Sequence, residues 1–306
     1  MTTADKLHII LRLSHMTQTK LAWKIGVSFV AFNRWLSGKA TPHRKTQLII
    51  DALYLAYTGQ AVIPKTQLEA KKKLILSRSQ KAPNILKLLL ERPDLRDEFA
   101  LKLTYNSNSI EGSTLSEHDT AAILFDNRVL PRKSLREVME AKNHQAAWGF
   151  LLNHLESGGK LDEDLILRLH TIVMNGIFSE AGFYRRHAVR IVGSYVPTAN
   201  YLKIPTLMKA LASDIRKPHK DIIAHVSAIH SRLEQIHPFA DGNGRAGRLL
   251  MQAMLLKRDL APANIRQELK AFYYIALKKA QTENDPSQLE DFVCDAILEG
   301  FEIAEN

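Results

Sequence analysis

The stretch His237-Pro-Phe-Ala-Asp-Gly-Asn-Gly-Arg-Ala-Gly-Arg248 lies between two apolar runs that read as helices. Upstream, Ile222, Val226, Ile229, Leu233 and Ile236 fall on one stripe, which predicts a buried helix ending at Pro238. Downstream, Leu249-Leu250 through Leu256 predicts a second one. The short loop between them is crowded with His, Asp, two Gly, Asn and two Arg. Gly242 and Gly244 permit backbone conformations in which successive N–H groups point at one anion. The helix that follows aims its positive end at the same point. Arg245 and Arg248, three apart, can share a face and clamp phosphate oxygens. Asp241 offers a hard oxygen to Mg2+, which binds through one or two carboxylates plus substrate phosphates. His237 can serve as general base towards a hydroxyl, and Phe239 can anchor the loop to the core. Singly, each residue has a bland alternative: a histidine after a buried helix is usually structural, and Asp-Gly is usually a turn. Together, at this spacing, they point to phosphate chemistry. His230 and His237 suggest a metal pair, but no third ligand with metal spacing accompanies them.

These residues resemble the Fic signature, His-x-Phe-x-(Asp/Glu)-Gly-Asn-Gly-Arg-x-x-Arg, without departure, and the resemblance spans about residues 85–295. It implies an all-helical Fic fold whose members mostly transfer AMP from ATP to Ser, Thr or Tyr side chains of proteins. By that likeness His237 is the base and Asp241 holds Mg2+. Asn243 and the Gly242–Gly244 backbone take the α- and β-phosphates, Arg245 assists, and Arg248 takes the γ-phosphate. Donors other than ATP occur among such proteins, so fold analogy leaves the donor open.

Three flanking segments fit the same resemblance. Val189-Arg190-Ile191-Val192-Gly193-Ser194-Tyr195-Val196 alternates β-branched residues around Gly-Ser and predicts a β-hairpin. Following Gly182-Phe-Tyr-Arg185, it resembles the Fic flap, which pairs edge-on with an extended target segment. Tyr273-Tyr274 falls where related proteins close the adenine pocket. Upstream, Ser107-Asn-Ser-Ile-Glu111-Gly112 reads as a helix ending at Gly112, with Thr114-x-x-Glu117 as a capping box for the next. Beside a Fic loop it resembles the family's inhibitory pattern, (Ser/Thr)-x-x-x-Glu-(Gly/Asn), in which Glu111 would engage Arg248.

At 306 residues, 45% hydrophobic and 24% charged, the chain has the length of two globular domains. No apolar run approaches a membrane span, and no secretory signal is evident. One cysteine, Cys294, fits a reducing cytoplasm and reads as packing. The net charge of +10 is uneven: residues 1–80 hold 13 Lys/Arg against 3 Asp/Glu, and residues 81–306 hold 29 of each sign. That excess predicts a polyanion partner for the first quarter, the alternative being a solvated basic face.

There, Thr17 to Lys39 resembles a helix-turn-helix of the Cro/repressor kind. Ala22 is small where two helices cross, Gly26 permits the turn, and Phe32 and Trp35 pack the second helix. That helix, about Ser28 to Leu36, would enter the major groove of DNA. Ser28, Phe29, Asn33 and Arg34 are candidates for base or phosphate contact, with Lys20, Lys24, Lys39, Arg44 and Lys45 attracting phosphates. A protein-docking module is the alternative. The expected whole is all-α: residues 1–60 a helix-turn-helix unit, 61–82 a lysine-rich linker, 83–306 a Fic domain with a small β-hairpin flap and an inhibitory helix at about 104–112. The expected activity is AMP transfer from Mg-ATP to a protein hydroxyl, with self-association open. Competing expectations are a transcription regulator whose body senses nucleotide or modifies itself, and an enzyme that removes AMP from its target.

Overall fold

The computed structural model describes residues 1–81, 84–126, 130, 133–190 and 196–305. Among them are fifteen α-helices and no strand. The first four, α1 (Thr3–Ser14), α2 (Gln18–Ile25), α3 (Phe29–Leu36) and α4 (Arg44–Tyr57), enclose a core of their own. Local chemistry sets the α2–α3 turn. The Thr17 hydroxyl accepts from Lys20 N, Gly26 takes φ 78, and the Ser28 hydroxyl accepts from Ala31 N to start α3. Ala22 is buried at the crossing, with Phe32 and Trp35 beneath.

Within the lysine-rich segment expected as a connector lies a helix, α5 (Lys65–Lys81), that packs along the last described helix of the chain. Leu68 and Ile75 enter the main core. Lys72 lies between Asp221 and Glu290, and Lys71 between Asp291 and Asp295. The lysine run is therefore partly neutralised by acids of the main body.

The body continues through α6 (Ile85–Glu91), α7 (Pro93–Ile110), α8 (Glu117–Leu124), α9 (Leu135–Glu156) and α10 (Glu163–Val173). It then runs through α11 (Ile204–Ile215), α12 (Ile222–Ile236), α13 (Asn243–Leu256), α14 (Lys270–Thr282) and α15 (Ser287–Glu305). α13 is its axis: every residue from Arg245 to Leu256 is buried, among α7, α9, α10 and α12. A helix buried all round must satisfy each polar side chain internally. Gln252 does so by exchanging two hydrogen bonds with the Ala263 backbone.

Two local expectations change. α8 starts two residues later than expected, with Ser116 and Asp119 forming the capping box. Thr114 instead gives both its N–H and its hydroxyl to Glu137. The hairpin expected at 189–196 falls mostly outside the described residues, Ile191, Val192 and Gly193 among them; Val189, Arg190 and Val196 are described without strand pairing. Cys294 is buried, and burial pushes its thiol up to about 12, as suits packing. No described helix is long and apolar enough to cross a membrane.

Candidate active site

The loop between α12 and α13 is held by its own side chains first. His237 ends α12 in the left-handed conformation, φ 50, and Gly242 turns the chain into α13 at φ 78. Asn243 reaches back to Phe239, accepting from its N–H at 2.9 Å and donating to its carbonyl at 2.9 Å. No side chain caps α13. Its opening turn thus presents backbone N–H groups and a positive dipole end to the loop's concave side.

His237 is positioned for base chemistry. Its Nδ1 lies 3.2 Å from the Glu234 carbonyl, an obligate acceptor, so Nδ1 carries the proton and Nε2 keeps its lone pair. Burial holds its pKa below the ordinary histidine value, which keeps the ring neutral. Asp241 has one carboxylate oxygen on Gly242 N at 2.6 Å and the other on Arg136 at 2.6 Å. Although burial opposes ionisation, Arg245, the Gly242 N–H and Arg136 together lower its pKa, so it stands as a carboxylate.

Arg245 and Arg248 do not converge. Arg245 turns inward, 3.0 Å from Glu140 and 3.5 Å from Asp241, with its side chain 2% exposed. Arg248 turns the opposite way, to α7. Its Nε donates to the Ser107 hydroxyl at 2.9 Å, and its Nη2 to the Ser107 carbonyl at 3.0 Å and Glu111 at 2.7 Å. Glu111 sits at the C-terminal end of α7, followed by Gly112 at φ 107. Its carboxylate lies directly over Gly244, where a Cβ would overlap it. A side chain at that position would have to push the carboxylate aside.

Tyr273 is buried, its hydroxyl 2.6 Å from His230 Nε2, whereas Tyr274 is 40% exposed. His230 therefore serves Tyr273, and among the described residues no three His, Cys, Asp or Glu side chains group as a metal site. In the amino-terminal unit Ser28, Phe29, Asn33, Arg34 and Lys39 are all exposed, as are Lys20, Arg44 and Lys45. The Ser28 hydroxyl is occupied as the α3 cap, and Lys24 lies over the Phe272 ring at 5.3 Å.

Several residues outside the loop hold this site in place. His170 of α10 is fully buried, stacks on Phe239 at 3.6 Å, accepts from Gly182 N at Nδ1, and donates from Nε2 to the Asp241 carbonyl at 2.9 Å. Arg185, 2% exposed, donates to the carbonyls of His237, His187, Ala199 and Ile236, tying the loop to the segment after Gly182. Glu140 and Arg136 frame Asp241 from α9. Glu234 has an oxygen buried without a partner, and its pKa is pushed up to about 7, chiefly by burial.

The described residues thus form an all-helical body with a glycine-turned loop at the head of its central helix. Residues 160–255 match the Fic/DOC family. Protein adenylyltransferase fic-1 of Caenorhabditis briggsae is 34% identical over 215 residues, which cover 63% of this chain and 42% of that protein. The chain thus spans about two fifths of the length of the curated relatives it matches. A Fic family protein from Desulfovibrio desulfuricans G20 superposes with TM-score 0.64 at 25% identity, covering 80% of this chain and 75% of its own. A Fic-1 fragment from Caenorhabditis elegans superposes with TM-score 0.61 at 24% identity over 99% of this chain and 96% of its own, a likeness of fold.

Proposed function

We propose that the chain transfers AMP from Mg-ATP to a Ser, Thr or Tyr hydroxyl of a protein. The observation that carries this is the single loop in which a neutral His237 with a free Nε2, an ionised Asp241 and the uncapped start of α13 converge. His237 takes the hydroxyl proton as that oxygen bonds to the α-phosphorus, and the bond to the β-phosphate oxygen breaks to release pyrophosphate. The Gly242–Gly244 backbone and Asn243, which pins it, cradle the α- and β-phosphates.

Asp241 suits Mg2+ by its chemistry. It is one ionised carboxylate whose outer oxygen meets only Arg136, itself 57% exposed and able to turn into solvent. Mg2+ commonly takes one or two carboxylates and completes its shell with substrate phosphates and water. When bound, it would neutralise phosphate charge. Arg245, locked to Glu140 and Asp241, holds that carboxylate in place and so assists the phosphates at one remove.

In this proposal Arg248 clamps the γ-phosphate, and Glu111 is a brake. Its carboxylate both occupies the guanidinium and covers Gly244, where a phosphate would approach. A body that merely sensed nucleotide would need no base, so the free Nε2 of His237 favours catalysis. The segment following Arg185 would present the target as an added strand. The amino-terminal unit would bind duplex DNA through Phe29, Asn33 and Arg34, with Lys20, Lys39, Arg44 and Lys45 on the phosphates.

ATP labelled at the α- or the γ-phosphate, incubated with the protein and a lysate, tests the chemistry. The α-label should become covalently attached and the γ-label should not, and His237→Ala should abolish attachment. Attachment of the γ-label, or wild-type transfer by His237→Ala, overturns the proposal. For DNA, binding to pooled duplexes should fall steeply with salt and weaken in Arg34→Ala; salt-insensitive binding favours protein docking instead.

A further inference from the structure

Four charged side chains around Asp241 close into a ring. Arg136 Nη2 meets Asp241 Oδ2 at 2.6 Å, and Asp241 Oδ1 meets Arg245 Nη2 at 3.5 Å. Arg245 Nη1 meets Glu140 Oε1 at 3.0 Å, and the same oxygen meets Arg136 Nε at 3.0 Å. The two arginines differ in freedom. The Arg245 side chain is 2% exposed and fixed, whereas that of Arg136 is 57% exposed.

Nothing local to α9 favours an arginine at 136. It is the second residue of the helix, in the first turn, where the helix dipole disfavours a cation. Ser134 and Glu137 already cap that turn. Arg136 gains two acids instead, Glu140 one turn on and Asp241 from across the fold. Asp241, for its part, is aimed without Arg136. Its Oδ1 accepts from Gly242 N at 2.6 Å, and its backbone carbonyl accepts from His170 at 2.9 Å. Removing the Arg136 guanidinium would therefore leave the carboxylate in place with Oδ2 bare. That is the oxygen a divalent cation would need, and a guanidinium on it opposes the cation twice. It occupies the oxygen, and its charge repels a second positive ion at close range. The Nε bond to Glu140 gives Arg136 a pivot on which to leave Asp241 while keeping its other partner.

We propose that Arg136 is a stand-in counter-ion for Asp241, an internal competitor that a divalent cation must displace. It thereby sets how much metal the site requires. This rests on the Mg2+ role of Asp241 proposed above.

The test needs no turnover. Mn2+, which takes the same oxygen ligands and is paramagnetic, is titrated into the full chain without nucleotide and followed by electron paramagnetic resonance. Arg136→Ala should bind Mn2+ about fivefold more tightly than wild type, the upper end for a part-exposed ion pair. Arg136→Gln, which keeps reach without charge, should bind as Arg136→Ala does. Arg136→Lys, which keeps the charge, should stay near wild type. Adding Asp241→Asn to Arg136→Ala should abolish the gain, which assigns it to this carboxylate. Melting temperatures confirm that each variant is folded. Equal affinity in wild type and both uncharged variants overturns the inference, and so does weaker binding by them, which would make Arg136 a support of the carboxylate. Either result leaves the functional proposal standing. Mn2+ binding that is indifferent to Asp241→Asn in every background overturns the metal assignment and this inference with it.

Discussion

Glu111→Gly is the perturbation whose size the geometry best defines. Arg248 is 5% exposed at its side chain, and its Nη2 meets Glu111 at 2.7 Å, while Glu111 is 33% exposed. Two unit charges with centres about 4 Å apart attract by about 4 kcal/mol at an effective dielectric of ~20. Solvent reaches a third of the glutamate side chain, so the effective hold is closer to about 1.5–3 kcal/mol. A γ-phosphate must displace that contact, and removing it should raise Mg-ATP affinity and AMP transfer by roughly 10- to 100-fold. The backbone tolerates the change, since Glu111 closes α7 rather than lying inside it. Calorimetry with Mg-ATP and incorporation of α-labelled ATP provide the two readouts. Arg248→Ala should not reproduce the gain, because it removes the clamp with the obstruction. Accumulated adduct alone is ambiguous, since a carboxylate near a phosphoryl centre can also activate water for AMP removal. Pre-modified target without ATP resolves this: release by the wild type that vanishes in Glu111→Gly assigns removal to Glu111, and a stable adduct assigns obstruction only. Affinity and transfer both within twofold of wild type would refute the brake and reduce Ser107–Gly112 to a helix end.

Other consequences concern protons and the loop's supports. Because burial depresses the His237 pKa, the base stays neutral below the usual histidine range; the acid limb of kcat/KM should lie below pH ~6.5, and a limb above it would contradict the assignment. His170→Phe keeps the stack on Phe239 but loses the bond to the Asp241 carbonyl, and should weaken Mg2+-dependent transfer on the order of tenfold; an unchanged Mg2+ titration would remove His170 from the site's support. Glu234, raised by burial to about 7 from 4.5, binds a proton more tightly folded than unfolded, so its contribution to stability falls as pH rises from about 4.5 to 7. Glu234→Gln should therefore gain Tm over the wild type progressively between pH 5 and pH 8, whereas a pH-independent difference would place that carboxyl in water.

What could be read from the sequence was what neighbouring residues decide among themselves. The turn within the 237–248 loop is local: Gly242 makes it, Asn243 pins it to Phe239, and the dipole of α13 comes from its own backbone. The α2–α3 turn is equally local, set by Thr17, Gly26 and Ser28 within a few residues of one another. Where two residues look alike in sequence but meet different elements, that locality fails. Arg245 and Arg248 are three apart on α13, and spacing alone aimed both at phosphate. The helix is buried on every side, so one arginine faces α9 and pairs with Glu140, and the other faces α7 and pairs with Glu111. The same limit hid the supports. Arg136 reaches Asp241 across 105 positions, and Lys72 reaches Asp221 and Glu290 across 149 and 218. A lysine run whose nearest acid in sequence is the single Glu69 reads as solvated, and only packing of α5 along α15 turns Lys72 inward. His170 is the sharpest case: a single histidine on an amphipathic helix, identical in pattern to any core residue, whose ring is assigned its proton by Gly182 and gives it to Asp241. Its role is a property of three separate segments meeting, and no window along one of them contains it.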